Sequence, residues 1–225
     1  MNTTMTYPKL SDLDTSHPQV GAAVQVAHNW AREKANGNPG ISMILSGRYG
    51  VGKTHLAKAI LWSIRYSPEG LDDIEIPVGR FFLASKLIIE LGPFTDDTGM
   101  LHHPSPDYFA GDAPIIVLDD VGGQISMPYI KADRQKEEIQ ARYFLFVDHC
   151  LNRETTMWID DELKVVENPP SLIITTNLDL GGGHGSEFAQ HVGGRVWDRL
   201  QVMCPAGFMI GLDGVPSWRK KVGGR

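Results

Sequence analysis

The sequence lacks the features that mark membrane proteins, disulfide scaffolds and zinc fingers. Among its 225 residues are only two cysteines, Cys150 and Cys204, which lie far apart and have no metal-ligand spacing. No apolar run approaches the roughly 18 residues that span a bilayer, and the N-terminus has no apolar signal-peptide core. The sequence therefore predicts a protein without membrane contact in a reducing, cytoplasmic setting.

The sequence also lacks an excess of basic residues. Lys and Arg total 21 against 27 Asp and Glu, which gives a net charge of −6. Proteins that bind nucleic acid through their overall charge are basic, so any DNA contact is expected from a local patch. The most basic segment is the tail from Arg219 to Arg225, which is equally typical of a solvated terminus.

Short apolar runs alternate with stretches of helical periodicity from residue 18 onward. Strands are predicted at 41–45, 80–84, 115–118, 172–176 and 208–212. Helices are predicted over about 18–34, 54–66, 85–91, 132–152 and 187–201, and 92–112 is predicted to be mostly loop. This alternation is typical of one α/β domain with a parallel sheet covered on both faces. Residues 1–17 are polar and aperiodic, which predicts a flexible N-terminal arm before a domain over 18–225.

A glycine-rich segment, Gly47–Thr54, follows the first predicted strand and matches the pattern G-x-x-x-x-G-K-[ST] in full. Phosphate oxygens need several converging backbone N–H donors, and glycine allows the chain to fold back tightly enough to supply them. The helix that follows directs its positive end at the phosphates. Lys53 is expected to contact the β- and γ-phosphates, and the Thr54 hydroxyl to hold Mg²⁺.

Two carboxylates, Asp119 and Asp120, end the third predicted strand. Ligands bind at this end of the strands in open parallel sheets. Asp119 is therefore expected in the Mg²⁺ shell, and Asp120 is expected to orient or activate an attacking water. Many proteins of this kind carry a longer Glu at the second position.

Polar residues also follow the fourth strand and occupy the last predicted helix. Asn177 is placed to hydrogen-bond a γ-phosphate or a water, although a turn-forming role is an open alternative. Arg195 and Arg199 share a helical face beside Asp198. One of them could reach the γ-phosphate of a neighbouring subunit, or both could pair with local carboxylates.

Together, the phosphate loop, L-D-D-V-G, I-I-T-T-N-L, G-G-R-V-W-D-R-L and a final strand ending near S-W-R resemble an AAA+ ATPase. More narrowly, they resemble the helicase-loader clade, the DnaC/IstB-like ATPases, over roughly residues 18–220. The resemblance implies a P-loop NTPase three-layer sandwich with strand order 5-1-4-3-2 and no substantial C-terminal lid. It also implies ATP and Mg²⁺ as cofactors and slow hydrolysis stimulated by assembly or DNA.

The resemblance assigns site residues position by position. Nucleotide contacts are implied for Gly47, Tyr49, Gly50, Val51, Gly52, Lys53, Thr54, His55 and Arg219. Thr54 and Asp119 are the implied metal ligands, and Lys53, Asp120 and Asn177 the catalytic residues. Arg199 is the implied trans-acting finger, with Arg195 as the second candidate.

The partners implied are a hexameric replicative helicase, single-stranded DNA and further copies of the chain in a ring or spiral. The alternatives are a transposition helper that binds duplex DNA and recruits a transposase, and a nucleotide-dependent adaptor with negligible hydrolysis. Only about 17 residues precede the first helix, where loaders of the bacterial type carry a helicase-gripping domain, and 121–135 and 153–170 look like insertions. Such a compact chain suggests a phage or mobile-element version, in a bacterial cell or a phage-infected host.

Overall fold

A five-stranded parallel sheet forms the centre of the fold in a computed structural model, which describes residues 9–35, 40–65, 79–95, 98–127, 129–159 and 162–217. Its strands are β1 (Met43–Ser46), β2 (Arg80–Leu83), β5 (Ile115–Val121), β8 (Ser171–Thr176) and β9 (Met209–Gly211). The strand order is β2-β5-β8-β1-β9, which confirms the predicted order 5-1-4-3-2.

Helices cover both faces of this sheet. They are α1 (Pro18–Ala35), α2 (Lys53–Arg65), α3 (Ala84–Glu90), α4 (Pro106–Ala110), α5 (Ala132–Leu151), α6 (Glu187–Val192) and α7 (Gly194–Met203). Alternate side chains of each central strand enter opposite cores. In β5, Ile115 and Val117 pack towards α1 and α2, whereas Ile116 and Leu118 pack towards α3 to α7. The three-layer α/β sandwich expected from the sequence is therefore present.

The end of the expected N-terminal arm lies on the domain. A short 3₁₀ turn, Leu10–Asp12, places Leu10 in the core beneath α1 and α2, where it is 2% exposed. The backbone N–H of Leu10 donates to Ser63 Oγ of α2 at 3.1 Å. Residues 10–13 therefore pack on the domain. Residues 1–8 lie outside the described part of the chain.

The single helix predicted over 187–201 is two helices, α6 and α7. Gly193 separates them with φ 94° and ψ 146°, a backbone conformation that interrupts helical geometry. Helical periodicity continues across this break, so the apolar pattern alone does not reveal it.

Two segments expected as loop or insertion contain short strands. Residues 92–112 hold the small hairpin β3 (Phe94–Thr95) and β4 (Leu101–His102), followed by α4. Within 153–170, β6 (Glu154–Ile159) and β7 (Glu162–Glu167) form an antiparallel ribbon. Among the described residues, no helix combines the length and apolarity needed to cross a membrane, and none follows β9 as a lid.

Candidate nucleotide-binding site

A cavity of about 830 Å³ opens at the carboxyl ends of β1, β5 and β8. These ends coincide because the three strands are parallel neighbours in the sheet. The cavity is lined by Tyr49, Gly50, Val51, Gly52, Lys53, Thr54, His55, Asp119, Asp120 and Asn177. Most residues predicted from the sequence as site residues therefore meet in one place.

The glycine-rich segment forms a tight loop between β1 and α2. Gly50 and Gly52 have φ 81° and 99°, in the left-handed region where a Cβ is strained. Gly47 has φ 142°, and a Cβ there would lie 3.1 Å from the backbone of Leu212. The loop conformation thus depends on the glycines that the pattern contains.

Lys53 opens α2 and turns its ammonium group back under the loop. Its Nζ donates to the carbonyls of Gly47 and Arg48 at 2.7 and 3.0 Å, and to Asn177 Oδ1 at 2.7 Å. Burial lowers the pKa of Lys53, while the carboxylates of Asp120 and Asp119 oppose that shift. A phosphate that replaces these acceptors would meet a cation already held at the loop.

A bulge in β5 brings both aspartates to the cavity. Adjacent residues of a regular strand point to opposite faces. Here, two residues, Asp119 and Asp120, stand opposite the single residue Thr175 of β8, because the register shifts between Leu118 and Val121. Asp120 adopts φ 57°, a left-handed conformation that Asp tolerates better than most side chains. The sequence shows the two carboxylates but not the bulge that makes both line the cavity.

Hydrogen bonds connect the phosphate loop to the strand ends. Thr54 Oγ1 donates to Asp119 Oδ1 at 2.8 Å. Asn177 Nδ2 donates to Asp120 Oδ1 at 2.6 Å, while its own Oδ1 accepts from Lys53. Asn177, in the bend after β8, therefore bridges the cation of the loop and the second carboxylate.

The donor set fits Mg²⁺ held jointly with a nucleotide. Thr54 and Asp119 offer a hydroxyl and a carboxylate, hard oxygen ligands at hydrogen-bond distance from one another. Among the described residues, no group of three or more His, Cys, Asp or Glu could hold a metal by itself. This agrees with Mg²⁺ sites in which one or two protein ligands act together with substrate phosphates.

The far end of the cavity is lined by residues that the sequence argument missed. Asp12, Leu13 and Asp14 of the N-terminal segment face it, together with Val20 and Ala23 of α1. Nothing in the composition of a polar N-terminus predicts this placement. The burial of Leu10, which no helical period marks, is what fixes the segment here.

The two arginines of α7 do not line this cavity. Arg199 Nε contacts Asp148 Oδ1 at 2.5 Å, and its guanidinium lies 4.4 Å from the centre of the Phe144 ring. Arg195 is exposed, with its guanidinium 5.9 Å from the same ring. Asp198, expected beside them, instead pairs with His184 at 2.9 Å. Arg219, expected as a late nucleotide contact, lies outside the described residues.

The fold and the position of the site define a class. The sheet is parallel, a glycine-rich loop joins its first strand to a helix, and carboxylates end a neighbouring strand. This is the arrangement of a P-loop NTPase fold.

Comparison with known proteins identifies structures that share this fold. No protein-family model and no curated protein sequence matches the chain. The structure is similar to that of the DnaC helicase loader, with a TM-score of 0.56 and 24% identity over 90% of this chain and 95% of that one. It is also similar to DnaI, with a TM-score of 0.53 and 21% identity over 93% and 89% of the two chains. The chain therefore shares its fold with these two structures.

Proposed function

We propose that this protein is an ATP-hydrolysing helicase loader. The observation that carries the proposal is the network joining Lys53, Thr54, Asp119, Asp120 and Asn177 on the wall of one cavity. Phosphoryl transfer to water requires a loop with backbone N–H donors, a cation, a metal-binding pair and a second carboxylate. The cavity wall offers all four.

In this proposal, the side chains have distinct roles. Lys53 exchanges its carbonyl acceptors for phosphate oxygens. Thr54 and Asp119 would hold Mg²⁺, which would supply positive charge to the phosphates when bound. Asp120 accepts a proton from the water that attacks the γ-phosphorus, and the bond to the β-phosphate oxygen breaks to release ADP and phosphate. Asn177 keeps Asp120 in place through the 2.6 Å hydrogen bond.

The active assembly in this proposal is a ring or spiral of identical chains. An arginine from α7 of one chain completes the site of the next chain. This fits the observation that neither Arg195 nor Arg199 lines the cavity of its own chain. Arg199 is the first candidate and Arg195 the second. Arg195 is the more exposed of the two side chains. Arg199 is paired with Asp148, so it would have to break this ion pair or reach the neighbouring site together with Asp148.

The partners in this proposal are a hexameric replicative helicase and single-stranded DNA. The similarity to two structures described as DnaC and DnaI supports the helicase, at the level of fold. The net charge of −6 confines DNA contact to a local patch.

Hydrolysis and nucleotide binding are tested with three purified proteins. Lys53→Ala is expected to weaken ATP binding by about 10- to 100-fold, since it removes charged hydrogen bonds to phosphate. Asp120→Asn is expected to bind ATP normally and release no phosphate. Lys58→Ala is the control, because Lys58 lies on the same helix and packs on Phe81. If Lys53→Ala and Asp120→Asn release phosphate as fast as wild type does, the proposed site is refuted.

The partner is tested by affinity capture from the source cells with tagged Asp120→Asn and ATP–Mg²⁺, followed by mass spectrometry. A stoichiometric hexameric helicase supports the loader, and a helicase that Lys53→Ala no longer captures shows that the nucleotide controls the contact. A transposase in its place would instead support the transposition helper. Capture of a helicase, together with a wild-type protein that releases no phosphate, would identify the adaptor.

A further inference from the structure

We infer that Thr175 is a positioning residue whose hydroxyl holds Asp119 ready for Mg²⁺. This inference rests on the proposed function, because it concerns how the same site takes up its metal with the nucleotide. Thr175 lies in β8, two residues before Asn177, and neither the sequence pattern nor the resemblance gives it a role.

The Thr175 hydroxyl makes two hydrogen bonds at the bulge of β5. Its Oγ1 donates to Asp119 Oδ1 at 2.6 Å and accepts from the backbone N–H of Asp120 at 2.9 Å. The side chain is 1% exposed, so water does not substitute easily for either bond. One hydroxyl therefore fixes both the first carboxylate and the backbone that carries the second.

The bond from Thr175 matters most when a metal arrives. Thr54 donates to the same oxygen of Asp119 as Thr175 does. Thr54 is itself an expected metal ligand, whereas Thr175 lies on the sheet side and is not, so its hydroxyl serves only to hold the carboxylate. Thr175 would thus keep Asp119 in one orientation before and after metal binding, which lowers the reorganisation that metal binding requires.

The neighbouring residue, Thr176, supplies a matched control. It is equally buried, on the same strand, and its hydroxyl donates to the carbonyl of Val121 at 2.7 Å and accepts from the N–H of Leu178 at 3.1 Å. It supports the far side of the same bulge through backbone groups. Thr176→Val therefore reproduces the loss of a buried hydroxyl without removing a bond to either carboxylate.

The experiment measures binding of a fluorescent ATP analogue in EDTA and across a Mg²⁺ titration. Thr175→Val is expected to keep the affinity in EDTA within about twofold of wild type, while the Mg²⁺ concentration for half-maximal tightening rises about tenfold or more, as for a lost hydrogen bond to a charged group. Thr175→Ser is expected to restore the wild-type Mg²⁺ dependence, and Thr176→Val to preserve it. Thr175→Cys, which keeps the volume but donates weakly, replaces Thr175→Val if the latter does not fold.

Three results would overturn the inference. These are a wild-type Mg²⁺ dependence in Thr175→Val, an equal shift in Thr176→Val, and a failure of Thr175→Ser to restore the wild-type response. Phosphate release is measured separately on the same proteins. A wild type that binds nucleotide with Mg²⁺ but releases no phosphate would refute the proposed hydrolysis and would leave the Thr175 result standing.

Discussion

Asp120 has the most constrained backbone in the candidate site. Among the described non-glycine residues, it alone has a positive φ, at 57°. Asp and Asn occupy this left-handed region at lower cost than other side chains, which pay about 1–2 kcal/mol. The short carboxylate is thus suited to the bulge, and this gives a physical reason for Asp at this position.

Asp120→Glu is expected to lower the free energy of unfolding by about 1 kcal/mol and to slow phosphate release. A longer side chain in the same backbone conformation displaces the carboxylate from Asn177 Nδ2, now 2.6 Å away. Denaturant unfolding and a phosphate-release assay measure the two effects. Asp120→Asn serves as the stability control, since Asn tolerates the same φ. A Glu variant that is as stable as wild type and hydrolyses faster would contradict this account of the bulge.

At the residue scale, the sequence predicts which side chains form the site but not how these side chains are oriented. The pattern Gly47–Thr54 and the pair Asp119–Asp120 are recognisable because their chemistry requires those residue types. At the bulge, Thr175 donates a hydrogen bond to Asp119 and accepts one from the backbone N–H of Asp120, residues more than 50 positions away in the sequence. Such long-range contacts leave no local periodicity to read.

The break between α6 and α7 is set by one glycine. A Cβ on Gly193 would lie 3.3–3.4 Å from the Gln140 side chain of α5, at φ 94° and ψ 146°. This conformation is accessible to glycine and strained for other residues. It determines where α7, with Arg195 and Arg199, begins.

Gly193→Ala is expected to lower the free energy of unfolding by about 1–3 kcal/mol, the cost of this backbone region for a residue with a Cβ. Denaturant unfolding monitored by circular dichroism measures the change. Gly207→Ala is the matched control, because a Cβ there meets nothing within 4 Å. If the two variants lose equal stability, the backbone of Gly193 is not the cause of the helix break.

His191 connects the packing of α5 and α6 to pH. Its ring meets Tyr143 of α5 edge-on at 5.7 Å, and its Nε2 is buried without a hydrogen-bond partner among the described residues. Burial, and secondarily the charge of Lys136, lower the pKa of His191 below its ordinary value of 6.5. The folded state therefore disfavours protonation of this histidine.

The free energy of unfolding is expected to fall on acidification below about pH 6.5. In that range His191 binds a proton more readily in the unfolded state than in the folded state. The effect is a fraction of the roughly 1.4 kcal/mol per pH unit that one proton can contribute, since the half-buried ring is partly screened. Denaturant unfolding of wild type and His191→Gln at pH 7.5 and 5.5 measures it. His191→Gln should lose less stability than wild type or the exposed-site control His28→Gln. Equal losses in all three would contradict the assignment.

At the element scale, the sequence predicts the five central strands and the long helices α1, α2 and α5 well. The strands β1, β5 and β8 and these helices bury apolar residues in a regular pattern that is visible in the sequence, whereas the edge strand β2 is largely exposed. The N-terminal turn, the β3–β4 hairpin and the β6–β7 ribbon escape prediction. They are short, and in the first case a single buried leucine, Leu10, decides the placement.

At the scale of the whole molecule, the candidate site is one half of the proposed catalytic site. The cavity carries the loop, the metal ligands and the carboxylates, whereas the arginines of α7 lie elsewhere on the same chain. A head-to-tail contact between chains brings one surface against a different surface of its neighbour, as rings and spirals require. Turnover is therefore expected to rise with protein concentration.

The most direct test of this central claim mixes two inactive proteins. Lys53→Ala chains lack a working site but keep their arginines, and Arg199→Ala chains have the converse defect. An equal mixture is expected to recover about a quarter of wild-type phosphate release, since one interface in four then joins a working site to a working arginine. A parallel mixture with Arg195→Ala determines which arginine acts. Recovery in neither mixture, or full activity of both arginine variants alone, would contradict a site completed by the neighbouring chain.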